Sequence, residues 1–363
     1  MDYKHTISLT SGLLALLTAI LPAACSADTV EDSGIAGTSA ADEPVVFSLE
    51  LCSGLTRTGV ADNTTFDNLW PAGKNVYIAN SEGAKLYTTG EAPSTSSSVA
   101  TSMTPAGDDS FIWPTTDKSW RFSGWYPTAI DHAPSDTTVT VNANQSIYDE
   151  TDNPTGTTNE VYAGYDILYC PSTPVSHRQK PVTLTFLHQL ARVVVIINSN
   201  YTETKEEVKS VTFGNNKVAL TGSVNELGTT PLTNGETTWT VTDQNHTVTM
   251  RYNASMSDPD NNVYAFECIL PPQSYKESEQ VVTVPRLIQI TSEKKSPQSG
   301  NRYYHYDHAI DMQAGYQYTY NLLISERGLV TLSTVRVTDW TTGTAVSGDA
   351  DIPDNSYPNT MIQ

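Results

Sequence analysis

Short segments of alternating apolar and polar residues recur along the chain and predict an all-β protein. In the segment VVFSLEL at 45–51, one face of an extended strand carries Val45, Phe47, Leu49 and Leu51. Similar segments rich in Val, Thr, Tyr, Trp and Ile follow, separated about every ten residues by Gly, Pro, Asn and Asp. This spacing favours antiparallel β-sandwiches over a parallel α/β sheet.

The later strands and the division between domains are predicted from the same pattern. The predicted strands are 75–80, 119–127, 137–143, 181–198, 208–215, 238–243, 246–253, 264–272, 280–292, 316–325 and 329–340. The polar, Ser/Thr-rich segment 81–109 is predicted to be a surface loop. A chain of this length favours two domains, and the interruption at 171–180 predicts the boundary between two sandwiches.

The first 25 residues have the features of a bacterial export signal. Lys4 precedes an apolar run at 7–21, and this run of about 15 residues is shorter than the roughly 20 that cross a bilayer as a helix. Small residues follow and lead to Cys25. The pattern predicts a signal peptide over 1–25 and no membrane span in the mature protein.

Two processing routes stay open at the end of this signal. Ala24 and Cys25 match the end of a lipobox, but Pro22 stands where an aliphatic residue is usual. Lipid on Cys25 would anchor the protein in the outer membrane through several acyl chains; ordinary cleavage near Ala24 would leave a free thiol. The small, polar and acidic residues at 26–44 predict a flexible tether between this end and the folded body.

Charge and cysteine content narrow the classes of function. The chain has 40 acidic and 20 basic residues, a formal net charge of -20, so nucleic acid is not an expected partner. The acidity is interpreted as a solubilising surface. Beyond the signal, Cys52, Cys170 and Cys268 are odd in number and widely spaced, which argues against a disulfide framework and predicts small buried side chains.

A series of short motifs then appears in a fixed order along most of the chain. The motifs are LTR at 55–57, WPAGKNVYI at 70–78, FIW at 111–113, FSGWYP at 122–127, DILY at 166–169, FLHQLARV at 186–193, YQYTYNL at 316–322 and VRVTDW at 335–340. Their order resembles that of the fimbrillin-like family of Bacteroidales, and FLHQLARV is the most specific of them. The resemblance implies two transthyretin-like β-sandwich domains in tandem, export as a lipoprotein, proteolytic trimming and assembly into a type V pilus by strand exchange.

The resemblance also implies an organisation of the chain and a set of partners. The predicted parts are a signal peptide (1–25), a tether (26–44), a removable first strand with its cleavage loop (45–57), an N-terminal sandwich (58–178), a C-terminal sandwich (179–342) and a tail (343–363). Other pilus subunits and outer-membrane lipid, through Cys25, are the expected partners. A host or bacterial surface ligand stays open, and neither a cofactor nor a metal is expected.

Arg57 is the expected processing site, because members of this family lose their first strand to an arginine-directed protease. Cleavage between Arg57 and Thr58 would fall in a segment rich in Gly, Ser and Asn. It would uncover a groove worth roughly 6–12 kcal/mol of apolar burial. The side chains that fill this groove are predicted to be Val45, Phe47, Leu49 and Leu51. The alternative is an ordinary loop arginine, with the first strand left in place.

The strand that would enter a neighbour's groove is not evident. The tail 343–363 contains two prolines and no clean alternation of apolar residues. The segment 329–340 is a better strand but is available only if its own domain does not need it. Shaft, tip and anchor subunits therefore stay open.

Several residues suggest chemistry but have simpler interpretations. His188 is predicted to be a hydrogen-bonded core residue and Arg192 to reach the sheet's end or pair with a carboxylate. The run YYHYDH at 303–308 carries metal-ligand residue types without a metal-site spacing and is interpreted as an edge strand. No GxSxG motif or phosphate loop accompanies them, so no enzymatic activity is predicted.

A group of aromatic residues allows a second function. Trp113, Trp120, Trp125 and Tyr126 could form a sugar-stacking platform on a surface glycan-binding lipoprotein. Alternation along 120–125 would turn about half of this set inward, which favours core packing.

Overall fold

The chain folds almost entirely into β-strands. The computed structural model describes residues 43–51, 73–90, 101–107, 109–114, 119–126, 135–146, 166–199, 206–226, 239–294, 300–325, 328–331 and 335–339. Within these ranges the helical residues are the short 3-10 turns Ala254–Met256 and Pro259–Asn261 and the single 3-10 residue Ser146. The predicted all-β class is confirmed. A search of the same ranges for a helix long and apolar enough to cross a membrane finds none.

The first strands along the chain form a sheet that closes on itself. They are β1 (Phe47–Leu51), β2 (Asn75–Asn80), β3 (Gly83–Thr89), β4 (Thr101–Pro105), β5 (Trp120–Tyr126), β6 (Ser135–Thr140), β7 (Leu168–Val175) and β8 (Val182–His188). All but β6 take part, in the order β1-β4-β3-β2-β5-β7-β8, and β8 pairs with β1 to complete the ring. The pairings are antiparallel except that of β1 with β8, which is parallel.

The later strands build two main sheets. They are β9 (Ala191–Ser199), β10 (Glu206–Val218), β11 (Thr221–Glu226), β12 (Thr240–Thr242), β13 (His246–Thr249), β14 (Arg251–Tyr252), β15 (Val263–Leu270), β16 (Gln273–Ser274), β17 (Lys276–Glu277), β18 (Gln280–Val281), β19 (Thr283–Lys294), β20 (Gly300–Ala309), β21 (Asp311–Met312), β22 (Tyr316–Ser325), β23 (Gly328–Thr331) and β24 (Arg336–Asp339). One sheet has the order β13-β10-β19-β20. The other runs β14-β15-β9-β22, with β23 and β24 along the outer side of β22.

Two hydrophobic cores accompany these two groups of strands. The first lies within the closed sheet and includes Phe47, Phe122 and Phe186. The second includes Val195 of β9 and Ile288 of β19, from the two main sheets. Apolar side chains from both sheets pack together in one core, as in a β-sandwich.

Strands that are consecutive in the sequence do not always belong to the same group of strands. β8 pairs with β1 and β7 of the closed sheet, although it lies beyond the predicted boundary at 171–180. β6 pairs with β11 and contributes Val139 to the second core, although it lies before that boundary. The two groups of strands thus interleave along the chain, and the boundary at 171–180 stays a prediction together with the domain ranges 58–178 and 179–342.

One predicted strand is in fact two. The run 181–198 divides at Gln189, so that β8 belongs to the closed sheet and β9 to a main sheet. β8 alternates buried and half-buried residues, whereas the first five residues of β9 are all buried. Both patterns are apolar, so the sequence could not show where the chain passes from one sheet to the other.

The prediction of a surface loop at 81–109 is wrong. This segment contains β3 and β4, and it contributes Tyr87 and Met103 to the first core. Each strand brings few large apolar side chains, and its many Ser and Thr residues gave no clear alternation. Backbone pairing to neighbouring strands, together with one buried apolar side chain in each strand, was sufficient to form β3 and β4.

Candidate strand-exchange groove

β1 is held between two neighbours that are distant in sequence. Ser48 and Leu49 pair with Ser102 and Thr101 of β4 in antiparallel register. On its other side β1 runs parallel to β8, from Phe47 beside Val182 to Leu51 beside Phe186. Its backbone is thus paired along both edges.

The side chains of β1 alternate between the core and the outside. Val45, Phe47 and Leu49 are 3%, 1% and 1% exposed, whereas Val46 between them is 43% exposed. Ser48, on the outer side, is also buried, and its Oγ lies 3.0 Å from Thr183 Oγ1 of β8. The side chain of Leu51 lies outside the described residues.

Phe47 is the centre of an aromatic cluster inside the closed sheet. Its ring meets Tyr87 and Phe122 edge-on, with centroids 5.0 and 4.9 Å apart, and Phe111 at 6.2 Å. Edge-to-face packing of this kind adds to the free energy of simple area burial. The Tyr87 hydroxyl accepts a 3.0 Å hydrogen bond from the Phe111 N–H, and burial raises the pKa of Tyr87, so its phenol stays neutral.

The residues just before β1 are fixed by backbone hydrogen bonds. The Trp113 N–H donates to Glu43 O, and the Val45 N–H donates to Phe111 O, both at 2.8 Å. On the opposite side the Val182 N–H donates to Val46 O at 2.8 Å. The extended pairing therefore begins at Glu43, ahead of β1 itself.

The carboxylate of Glu43 is held by the turn between β7 and β8. Lys180 Nζ forms an ion pair with Glu43 Oε1, and Arg178 Nε lies 3.5 Å from Glu43 Oε2. The hydrogen bond from Lys180, followed by the positive charges of Lys180, Arg178 and His177, lowers the pKa of Glu43. This group was not predicted, because nothing in the local sequence pattern connects residue 43 with residues 178 and 180.

Of the predicted groove residues, Val45, Phe47 and Leu49 lie together in the first core. The predicted lipidation site, Cys25, and the predicted processing site, Arg57 and Thr58, lie outside the described residues. Cys52 also lies outside them. Cys170 and Cys268 are free and buried, and burial raises the pKa of the Cys170 thiol to about 11.

His188 and Arg192 have the structural roles that were predicted. His188 is fully buried, and its Nδ1 lies 2.7 Å from Asp166 Oδ1. Arg192 forms a buried ion pair with Glu267, and its Nη1 donates to Gln317 Oε1 at 2.9 Å. Both side chains are engaged by neighbouring protein groups.

The aromatic residues considered for a sugar platform are all buried. Trp113 and Trp120 stack in the first core with centroids 5.7 Å apart, and Trp125 stacks on Tyr77 at 5.2 Å. Tyr126 is 7% exposed. The platform is thereby excluded, because none of these rings presents a face to solvent.

The run YYHYDH lies on β20, at the edge of its sheet as predicted. Tyr304 is buried, and the rings of Tyr306 and His308 pack against Tyr320 at 6.1 and 5.5 Å. Across the part of the chain that the structure describes, no three His, Cys, Asp or Glu side chains converge as a metal site. Tyr304 and Tyr306 thus contribute to the second core, whereas Tyr303 is exposed.

Comparison with solved structures finds this fold in two proteins of low sequence identity, and a third protein is matched with a lower TM-score. A candidate cell adhesion protein from Bacteroides uniformis is 16% identical, with 82% of this chain and 98% of that chain covered and a TM-score of 0.52. One from Bacteroides ovatus is also 16% identical, with 83% and 98% covered and a TM-score of 0.50. A fimbrial protein from Bacteroides vulgatus is 11% identical, with 82% and 99% covered and a TM-score of 0.43.

Comparison at the level of sequence gives a family. No curated protein sequence matches the chain. A family model described as fimbrillin-like matches residues 56–340, which is most of the chain and includes every described strand after β1. The chain belongs to the fimbrillin-like family.

Proposed function

We propose that the protein is a structural subunit of cell-surface fimbriae of the type V pilus class and that it polymerises by donor-strand exchange. Membership of the fimbrillin-like family supports a pilus-type role at the cell surface. The role is structural and not enzymatic, and it contributes to adhesion through the assembled fibre.

The position of β1 is the observation that carries this proposal. β1 pairs along both edges and buries Val45, Phe47 and Leu49 in the first core. Three such side chains are worth about 1.5–3 kcal/mol each, or roughly 5–9 kcal/mol together. Removal of β1 would leave an apolar groove with unpaired backbone groups on β4 and β8, which is a template for strand addition.

The processing steps are part of the proposal. Export would depend on the signal peptide 1–25, and attachment to the outer membrane would depend on lipid at Cys25. The groove would open when the chain is cleaved between Arg57 and Thr58. The family match begins at residue 56, so β1 precedes the matched region, and the cleavage proposed between Arg57 and Thr58 would fall near the start of that region. Cleavage there would separate the groove filler from the body of the family fold.

A terminal position in the fibre is a second candidate. The residues 343–363 are interrupted by Pro353 and Pro358 and lack the alternation expected of a donor strand. A tip or anchor subunit needs only one of the two polymerising ends. The chain would then accept a strand from another subunit without donating one.

Sequencing of the N-terminus in assembled fibres tests the proposal. Fimbriae sheared from cells should contain a chain beginning at Thr58. An Arg57→Ala chain should stay uncut and outside the fibre, whereas the matched control Arg286→Ala, at an exposed arginine, should be processed and assembled normally. Fibres built from chains that begin at Cys25 would contradict the proposal.

A further inference from the structure

Glu43 continues the alternation of the buried side chains of β1 toward the N-terminus. It lies two residues before Val45, so it has the same parity as Val45, Phe47 and Leu49. Glu43 is at the rim of the closed sheet, where its side chain is 28% exposed and contacts Lys180 and Arg178. A carboxylate thus marks the place where the buried row begins.

The basic residues belong to the groove wall and not to the removable segment. The turn that carries them connects β7 to β8, and its Gln179 N–H donates to Ser176 O at 3.1 Å. Gln179 Oε1 in return accepts from the Ser176 N–H at 3.3 Å, and Arg178 has a φ of 60°. The turn is held by its own contacts, so Arg178 and Lys180 would stay at the mouth of the groove if β1 left.

We infer that Arg178 and Lys180 form a carboxylate clamp that sets the register of the strand in the groove. The clamp selects segments with Asp or Glu two residues before the first of three alternating apolar side chains. This inference rests on the proposed strand exchange and names the chemistry of the partner.

Register is the property that such a clamp can control. A slip of one residue turns every apolar side chain of a strand to the opposite face, and a slip of two keeps the face but shifts each side chain to another pocket. In either case the carboxylate leaves Arg178 and Lys180. A cation at this position would face them directly, so the clamp also rejects unsuitable strands.

The clamp sets a sequence requirement that the residues 341–363 can be compared with. In the residues 341–363 the acidic side chains are Asp349, Asp351 and Asp354. The residues two positions further on are Asp351, Pro353 and Ser356, and none of them starts an apolar alternation. The residues 341–363 of a second copy therefore do not meet the requirement, and we assign the groove to a segment of another subunit with the pattern acidic-x-apolar-x-apolar-x-apolar.

The test uses the whole chain with a site for a sequence-specific protease inserted after Arg57. After the cut the segment stays bound, and the readout is the urea concentration at which it is released. Glu43→Lys and Lys180→Glu should each lower this midpoint, by about 0.1–0.5 M or more. The double variant Glu43→Lys with Lys180→Glu should return to near the wild-type midpoint. Glu82→Lys, a charge reversal on an exposed residue elsewhere, is the matched control.

Two outcomes overturn the clamp: equal midpoints for Glu43→Lys and Glu82→Lys, or no recovery in the double variant. The partner is tested by diluting the urea in the presence of labelled peptides of residues 43–51 and 341–363. The first peptide should be captured at least about twofold better. If the 341–363 peptide is captured as well as the 43–51 peptide, or if neither peptide is captured, the assignment of a different subunit is overturned. Because the cut is engineered, absence of cleavage at Arg57 in cells would contradict the proposed function without affecting these results.

Discussion

The ring of Phe47 meets the ring of Phe122 edge-on, with their centroids 4.9 Å apart. Phe47 belongs to the first strand and Phe122 to the fifth, which has no backbone pairing with the first. The contact therefore passes through the interior of the closed sheet. It makes the first strand part of the core and not only part of the rim.

Replacement of Phe47 by Ala should destabilise the closed sheet by about 3–5 kcal/mol, because a large cavity would remain among three aromatic rings. Urea unfolding followed by tryptophan fluorescence measures this, since Trp113 and Trp120 lie in the same core. The matched control is Val46→Ala, at the exposed neighbour, which should change stability by less than about 0.5 kcal/mol. Equal effects of the two substitutions would contradict the assigned role of Phe47.

Replacement of Asp166 by Ala should cost about 1–3 kcal/mol, because buried His188 would lose the carboxylate that lies 2.7 Å from its Nδ1. The free energy of unfolding measures the loss. Asp260→Ala, which removes an exposed carboxylate, should leave it nearly unchanged. A neutral result for Asp166→Ala would show that the pair contributes nothing to stability.

Replacement of Glu267 by Gln should destabilise the second core by about 3–5 kcal/mol. Glu267 is fully buried and faces the guanidinium groups of Arg192 and Arg251, so the neutral amide would leave buried positive charge without its counter-charge. Thermal unfolding checks this, with Glu279→Gln on an exposed turn as control. Retention of the wild-type melting temperature would contradict it.

The thiol of Cys170 should be unreactive in the folded protein. Its pKa is raised to about 11 by burial, so at pH 8 only about a thousandth of it would be thiolate even if reagent could reach it. A chromogenic thiol reagent, applied to a chain with Cys25 and Cys52 replaced by Ser, should react only as the protein unfolds. Rapid reaction of the native protein would contradict the burial of this residue.

The contribution of Glu43 to retention of the first strand should depend on pH. Contacts with Lys180 and Arg178 lower its pKa below the ordinary 4.5. A carboxyl whose pKa is lowered on folding stabilises the folded state above its unfolded pKa and loses that effect as pH falls through the folded value. The release midpoint of the cut chain should therefore differ between wild type and Glu43→Gln at pH 7. The difference should shrink as pH falls through the lowered folded pKa of Glu43, and a difference that does not change with pH would exclude the charge as its cause.

The strand pattern shows where prediction from sequence succeeded and where it failed. Val45, Phe47 and Leu49 alternate with polar or exposed residues, and this local period is visible in the sequence and is matched by their burial. The segments around Tyr87 and Met103 were missed because each has one deep anchor among Ser and Thr. Periodicity detects a strand only when several side chains share one face.

The sequence by itself determined that this chain forms β-strands with definite inward faces, because alternation is a local property. Only the tertiary structure decided which strands meet. Ser48 and Thr183 are 135 residues apart and yet lie 3.0 Å apart across a parallel pair, and Glu43 meets Lys180 beside them. Such pairings depend on which edges and pockets remain when the whole chain has packed, so no local pattern at either residue contains them.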